Sequence, residues 1–248
     1  MKEVLELIEK RNKEFAQLPF FQFLRDKSIH PRQRLVWVPC VIPLIMSVKD
    51  LNNCILRKEP TTDPIQKMIN FHSYEDGRHW KWFLTDLERL GLDSSLKLSD
   101  TLRFLWGEET QTARLLAYNL VASTLNASTA IKLVAIETVE ATGIVAFSAF
   151  AEVGQELEQI TQKRNRYFSA SHLAVETGHV FAGMDNMEQL LEHVQLTDDE
   201  KAKAIHIVET VYTTFSELVN NLMKYAQNNY FEQPFLKATP LEEPLVNN

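Results

Sequence analysis

The sequence predicts an all-α protein built as a single domain, and three observations carry that prediction. Glycine is scarce, at 7 of 248 residues with none before Gly77, against an ordinary share of about 7%. Apolar residues recur at helical spacing along almost the whole chain. Hairpin signals built on glycine-containing turns are missing. A chain of this length has enough interior for one substantial core.

Taken in order, the opening MKEVLELIEKRNKEF reads as an amphipathic helix over 2–16. It has no apolar h-region, so no export signal is expected. Pro19 opens a helix over 20–28, which His30-Pro31 closes. A third helix over 32–56 holds the longest apolar run, Leu35 to Met46, interrupted by Pro39 and Pro43. That run falls short of the ~18–20 residues needed to span a bilayer, and reads as a buried, kinked core helix.

The KEPTTDP stretch, with Pro60 and Pro64, sets off a helix over 64–91 that ends at Gly91-Leu-Asp-Ser-Ser. Further helices are expected over 98–125, 128–157 and 164–194, with weaker breaks at Asn126 to Thr129 and Gln162 to Asn165. Thr197-Asp-Asp-Glu200 has the form of a capping box for a last helix over 198–229. The sum is a bundle of about seven to eight helices over 1–232. An irregular tail over 233–248, bearing Pro234, Pro240 and Pro244, follows it.

The formal charge of −7 and a pI near 5.6, with no basic face, argue against a nucleic-acid partner. Cys40 and Cys54 form no C-x-x-C and read as reduced thiols of a cytoplasmic protein. No membrane partner is expected.

The strongest functional signal is a repeated triplet, H-x-x-x-[D/E]-x-x-H, at His72, Asp76, His79 and again at His172, Glu176, His179. On a continuous helix the three side chains sit at about 0°, 40° and −20°, so each triplet faces one way. With 7 His and 33 acids in 248 residues, one such match is expected roughly 0.03 times by chance. Asp76-x-x-His79 and Glu176-x-x-His179 also have the i, i+3 spacing by which helix bundles hold two metals.

Imidazole with carboxylate suits iron, manganese or zinc, and oxygen chemistry favours iron. A bridging acid is available in LVAIETVEATGIVAF, where Glu137 and Glu140 stand three apart in an otherwise apolar helix. An acid buried there wants a cation, because an unpaired buried carboxylate costs several kcal/mol or takes up a proton. Glu75 lies about 100° from Asp76, so only one of that pair shares a face with both histidines.

The blander reading of each feature is also specific. A single i, i+4 His–Glu pair is ordinarily solvated and worth a few tenths of a kcal/mol. His30, His193 and His206 read that way, as caps or exposed residues, and Glu152 as solvated. Trp80, Trp82 and Phe83 read as core packing, with Tyr74 and Tyr167 flanking the triplets.

The segment SHLAVETGHVFAG resembles the third metal helix of the heme-oxygenase-like di-metal oxidases and oxygenases, whose pattern there is H-x-x-x-[D/E]-x-x-H. In length and helix count the whole chain is similar to that fold, and most to its CADD-like group. Thiaminase-II-like and pyrroloquinoline quinone synthase-like proteins share the fold. The resemblance implies His172, Glu176 and His179 as ligands from one helix. It implies His79 as the histidine of the earlier metal helix, and Glu137 or Glu140 as the bridging acid.

The chain also departs from the pattern. Seven residues before His79, where CADD-like relatives carry a glutamate ligand, stands His72. A neutral ligand there leaves Asp76 or Glu75 to supply the missing charge, or leaves the second metal weakly held. The self-sacrificing chemistry of the CADD-like group needs an early tyrosine, and the first here is Tyr74.

The resulting expectation is a non-heme oxidase or oxygenase that uses two iron ions, or manganese. It would act with O2 on a small organic substrate, and the resemblance implies a homodimer. The stretches Leu35–Met46 and Ile144–Phe150 are the expected apolar lining. The alternative is a metal-free or single-metal protein that binds a small ligand in the same cavity. A thiaminase-like hydrolase is disfavoured, since no cysteine follows Cys54.

Overall fold

A computed structural model describes residues 1–93, 96–178 and 194–231. The described residues are helices and connecting turns, with no β-strand among them. In chain order the helices are α1 (Lys2–Phe15), α2 (Pro19–Arg25), α3 (Pro31–Arg34), α4 (Ile42–Asp50), α5 (Pro64–Asp76) and α6 (His79–Leu90). They continue as α7 (Leu98–Trp106), α8 (Gln111–Thr124), α9 (Thr129–Thr161), α10 (Ala170–Gly178) and α11 (Asp198–Asn228). The all-α single-domain bundle is as expected. The helices are more numerous because three of the long ones are divided.

Each division has a local cause. The expected helix over 32–56 is α3, a 3-10 turn (Val38–Val41), α4 and a π turn (Leu51–Leu56). Pro31 and Pro43 each lie in the first turn of a helix, where a missing N–H costs nothing. They start helices and do not kink one. The expected helix over 64–91 breaks at Gly77-Arg78 into α5 and α6, and the one over 98–125 breaks after Trp106 at Gly107. Caps follow the sequence closely. Asp63 accepts from the Ile65 and Gln66 amides ahead of α5, and Thr197 with Glu200 forms the capping box of α11.

α9 is the axis of the bundle, packed against α1, α2, α3, α5, α8, α10 and α11. Its sequence explains the position, since an almost unbroken apolar surface has to be covered on every side. Thr138 and Thr142 fit there by donating their hydroxyls to the Val134 and Val139 carbonyls. One end of the core is aromatic, with Trp37 packed on Phe20, Phe150 and Phe168. Burying each such ring contributes roughly 1.5–3 kcal/mol.

The stretch Pro31–Leu56 and α9 are both long and apolar enough to cross a membrane on length and composition. In the bundle, Leu35, Val36, Trp37, Val38 and Cys40 are fully buried. The Leu35–Met46 run is therefore core, though not one kinked helix.

Candidate metal centre

The site sits where α5, α6, α9 and α10 converge. Because the helix breaks at Gly77, His72 and Asp76 end α5 while His79 begins α6. The first triplet is therefore not one helical face, as its spacing suggested. A β-carbon on Gly77 would stand 2.8 Å from the Ser73 carbonyl oxygen, so the break is closed tightly on the turn before it.

His79, His172 and Glu176 come together as a buried group. Glu176 Oε1 lies 3.0 Å from His79 Nδ1 and 2.9 Å from His172 Nε2, and the two ring nitrogens are 3.4 Å apart. A metal about 2.1 Å from its ligands would put neighbouring donor atoms about 3.0 Å apart in an octahedron and about 3.4 Å apart in a tetrahedron. The observed edges of 2.9, 3.0 and 3.4 Å span those two values. Two ring nitrogens converging on each other repel if both carry protons, whereas a cation accepts the lone pair of each.

The orientation of His172 supports the same use. Its Nδ1 lies 2.8 Å from the Tyr167 carbonyl oxygen, so Nδ1 keeps its proton and Nε2 is the nitrogen that would bind a metal. Phe147 and Tyr167 pack on the His172 ring, and Trp82 stacks on His79 at 4.5 Å. In the metal-free site burial pushes the Glu176 carboxyl up, but the hydrogen bonds donated by His172 and His79 and the charges of those rings more than reverse this and hold it well below the usual range. A cation would take the place of the donated protons.

His72 does something different. Its Nε2 is 2.9 Å from Asp76 and its Nδ1 is 2.7 Å from Glu140. Both ring nitrogens face carboxylates, so the ring is an imidazolium clamped between two acids. Burial lowers the His72 pKa, yet Asp76 and Glu140 outweigh burial and raise it well above the usual histidine value. Asp76 Oδ1 is also 3.8 Å from His79 Nδ1, which joins the two groups into one chain of acids and imidazoles.

Glu140 is the acid of α9 that reaches His72. Glu137, one turn earlier, is pushed up to about 8 by burial and by the Glu140 charge, against the pull of His72. Glu75 is half-buried beside Asp76 and does not line the cavity described below. His179, the remaining candidate, lies outside the described residues, as does His193. His30 caps α3 by accepting from the Arg32 amide, His206 is exposed, and Glu152 pairs with Arg25 at the surface.

The group opens onto an apolar cavity of about 180 Å³. His72, Asp76, His79, Glu140 and Glu176 line one end. Trp37, Val41, Leu44 and Ile45 line it from the first expected stretch, and Ala146, Phe147 and Phe150 from the second.

Asp86 supports this group and was not among the residues the sequence singled out. It is fully buried on α6 and accepts the backbone N–H groups of Arg166, Tyr167 and Phe168 at 2.7–3.0 Å. Burial raises its pKa, and those three amides oppose the rise. The carboxylate thereby fixes the segment whose Tyr167 carbonyl orients His172. Gly154 completes the fit, because a β-carbon there would overlap the Phe168 carbonyl oxygen at 1.7 Å. Asp86 had a usable signal: it follows His79 by seven residues on the buried face shared by His79, Phe83 and Leu90.

Compared with known proteins, the chain matches no family model and no curated protein.

Proposed function

We propose that the protein is a non-heme metal oxidase or oxygenase, with iron as its metal, acting with O2 on a small organic molecule held in the apolar cavity. The observation that carries this reading is the buried His79–His172–Glu176 group at the polar end of an otherwise apolar cavity. Two neutral imidazoles and one carboxylate, with no thiolate, suit iron or manganese. Iron bound there would supply redox chemistry with O2. The residues of the chain do the rest. Tyr167 and Asp86 hold His172 in the ligating tautomer, the aromatic shell of Trp82 and Phe147 keeps water from the ligands, and the apolar wall binds the substrate body.

A second ion at His72, Asp76 and Glu140 belongs to the same reading, as the resemblance to the heme-oxygenase-like di-metal enzymes implies. A single-metal form is the second reading, favoured by the clamped His72. No cysteine lines the cavity among the described residues, which weighs against a thiaminase-like hydrolase. Homodimerisation is supported by the exposed stripe of Leu98, Leu102 and Trp106 on α7. The reduced Cys40 and Cys54 support a cytoplasmic setting.

Elemental analysis of protein produced with iron and manganese tests the proposal. One to two equivalents of iron, lost in a His172→Ala/Glu176→Ala double variant, is the expected result. Protein that stays metal-free after anaerobic Fe2+ addition would overturn it.

A further inference from the structure

The cavity wall holds a polar group that the metal does not explain. Asn52 is 2% exposed, lies in the π turn and lines the cavity. Its Nδ2 donates to the Val48 carbonyl at 3.0 Å. That contact fixes the amide orientation, since the flipped form would set Oδ1 against another acceptor. Oδ1 is then a buried acceptor with no hydrogen bond from any described residue. Such an atom is destabilising where it stands, and an apolar side chain of similar shape would avoid the cost.

The backbone around Asn52 is built to hold it in place. The π turn closes with the Arg57 amide donating to the Asn52 carbonyl at 3.1 Å, five residues back. Gln66 donates to the Leu56 carbonyl and the buried Lys132 to that of Ile55, at 2.9 and 2.6 Å. Single π turns inside helical stretches are rare and recur at functional sites. The size of the cavity limits what can reach Asn52. An apolar cavity of about 150 Å³ admits benzene, so about 180 Å³ admits a slightly larger flat molecule.

We propose that Asn52 Oδ1 is the polar recognition point of this cavity, accepting a hydrogen bond from an N–H or O–H on a flat, apolar ligand of one to two rings. This deepens the proposed oxidase function, on which it rests for the ligand's role as substrate. A donor aligned on Asn52 would hold the ring system in one pose, with the remainder directed at the His79–His172–Glu176 end.

The test uses metal-free full-length protein, with indole as a donor-bearing probe and 1-methylindole as its donor-less counterpart, both titrated by calorimetry. Relative to 1-methylindole, indole should bind wild type about tenfold better than it binds Asn52→Leu. Asn52→Leu should keep an unchanged or higher Tm, and Asn52→Ala provides the same comparison if the leucine variant does not fold. An unaltered indole preference in the variants overturns the proposal. So does a wild type that binds neither probe, or that shows no preference, as expected of an acceptor already satisfied by water. Failure here with iron bound at His172 would leave the oxidase reading standing, whereas an indole preference in a protein that takes up no iron would remove only that reading.

Discussion

The two halves of the site use the same residue types in opposite ways. At His79, His172 and Glu176, two imidazole nitrogens converge on one carboxylate oxygen. At His72, one imidazole is clamped between the two carboxylates of Asp76 and Glu140. The first arrangement would gather three lone pairs at a point once a cation displaced the protons shared with Glu176. The second neutralises charge within the protein, and a metal could enter it only by taking the place of a proton. Shared spacing therefore does not confer a shared role. What the second ring nitrogen of each histidine faces decides it: a backbone carbonyl for His172, another acid for His72.

The largest effect expected is on metal content. His172→Ala should abolish tight iron binding, while His72→Ala should leave at least one equivalent in place, both read by elemental analysis. Equal losses in the two variants would mean that the halves are equivalent ligand sets and would break the contrast.

Gly154→Ala should be the most destabilising single change near the site, because the added carbon meets backbone and not a flexible side chain. Overpacking of this kind costs about 1–3 kcal/mol or more. A Tm lower by roughly 2–12 °C in a thermal melt is expected for a domain of this size. An unchanged Tm would show that the segment carrying Tyr167 is not held against α9.

Asp86→Asn comes next. It keeps one acceptor oxygen but loses the charge that gathers three amides, so the Tyr167 carbonyl would orient His172 less firmly. Metal affinity should fall about 10–100-fold, the range for residues that orient a ligating histidine. The same substitution should leave the pairing of His72 with Asp76 and Glu140 undisturbed. If Asp86→Asn binds metal as tightly as wild type, His172 does not depend on this support.

How much of this could be read from the chain follows from what each feature depends on. Helical periodicity and the Thr197–Glu200 box are local, and they were legible because local residues determine them; that Pro43 starts a helix and does not kink one was not. The placement of Glu140 on His72 was open, since which of two acids three apart in α9 meets α5 depends on helix rotation against a neighbour. The break at Gly77-Arg78 is not legible because an i, i+4, i+7 pattern passes through a two-residue interruption without losing its spacing. Asp86 stands on the apolar face of α6, a local signal, but its partners, the amides of 166–168, are brought to it only by tertiary packing, as is the cavity wall that holds Asn52.

The smallest effects concern pH, where the two halves should respond with opposite sign in metal-free protein. The folded-state pKa of Glu176 is lowered, so its contribution is present above the ordinary glutamate pKa and is lost as acid carries the pH down through the folded value. The folded-state pKa of His72 is raised, so its contribution is complete below the ordinary histidine pKa, about 6.5, and is lost as pH rises through the higher folded value. Glu137 is raised to about 8. Between the ordinary glutamate range and that value the unfolded chain has released a proton that the folded chain retains, so stability falls as pH rises. Glu137→Gln should therefore be close to neutral at pH 4 and stabilising at pH 8 in denaturant titrations. His72→Gln should cost most below pH 6.5 and progressively less at higher pH. If Glu137→Gln destabilised the metal-free protein at pH 8, the carboxylate of Glu137 would have to be held by a cation or donor, and the acids of α9 would belong with the ligands of His172 and not with the clamp on His72.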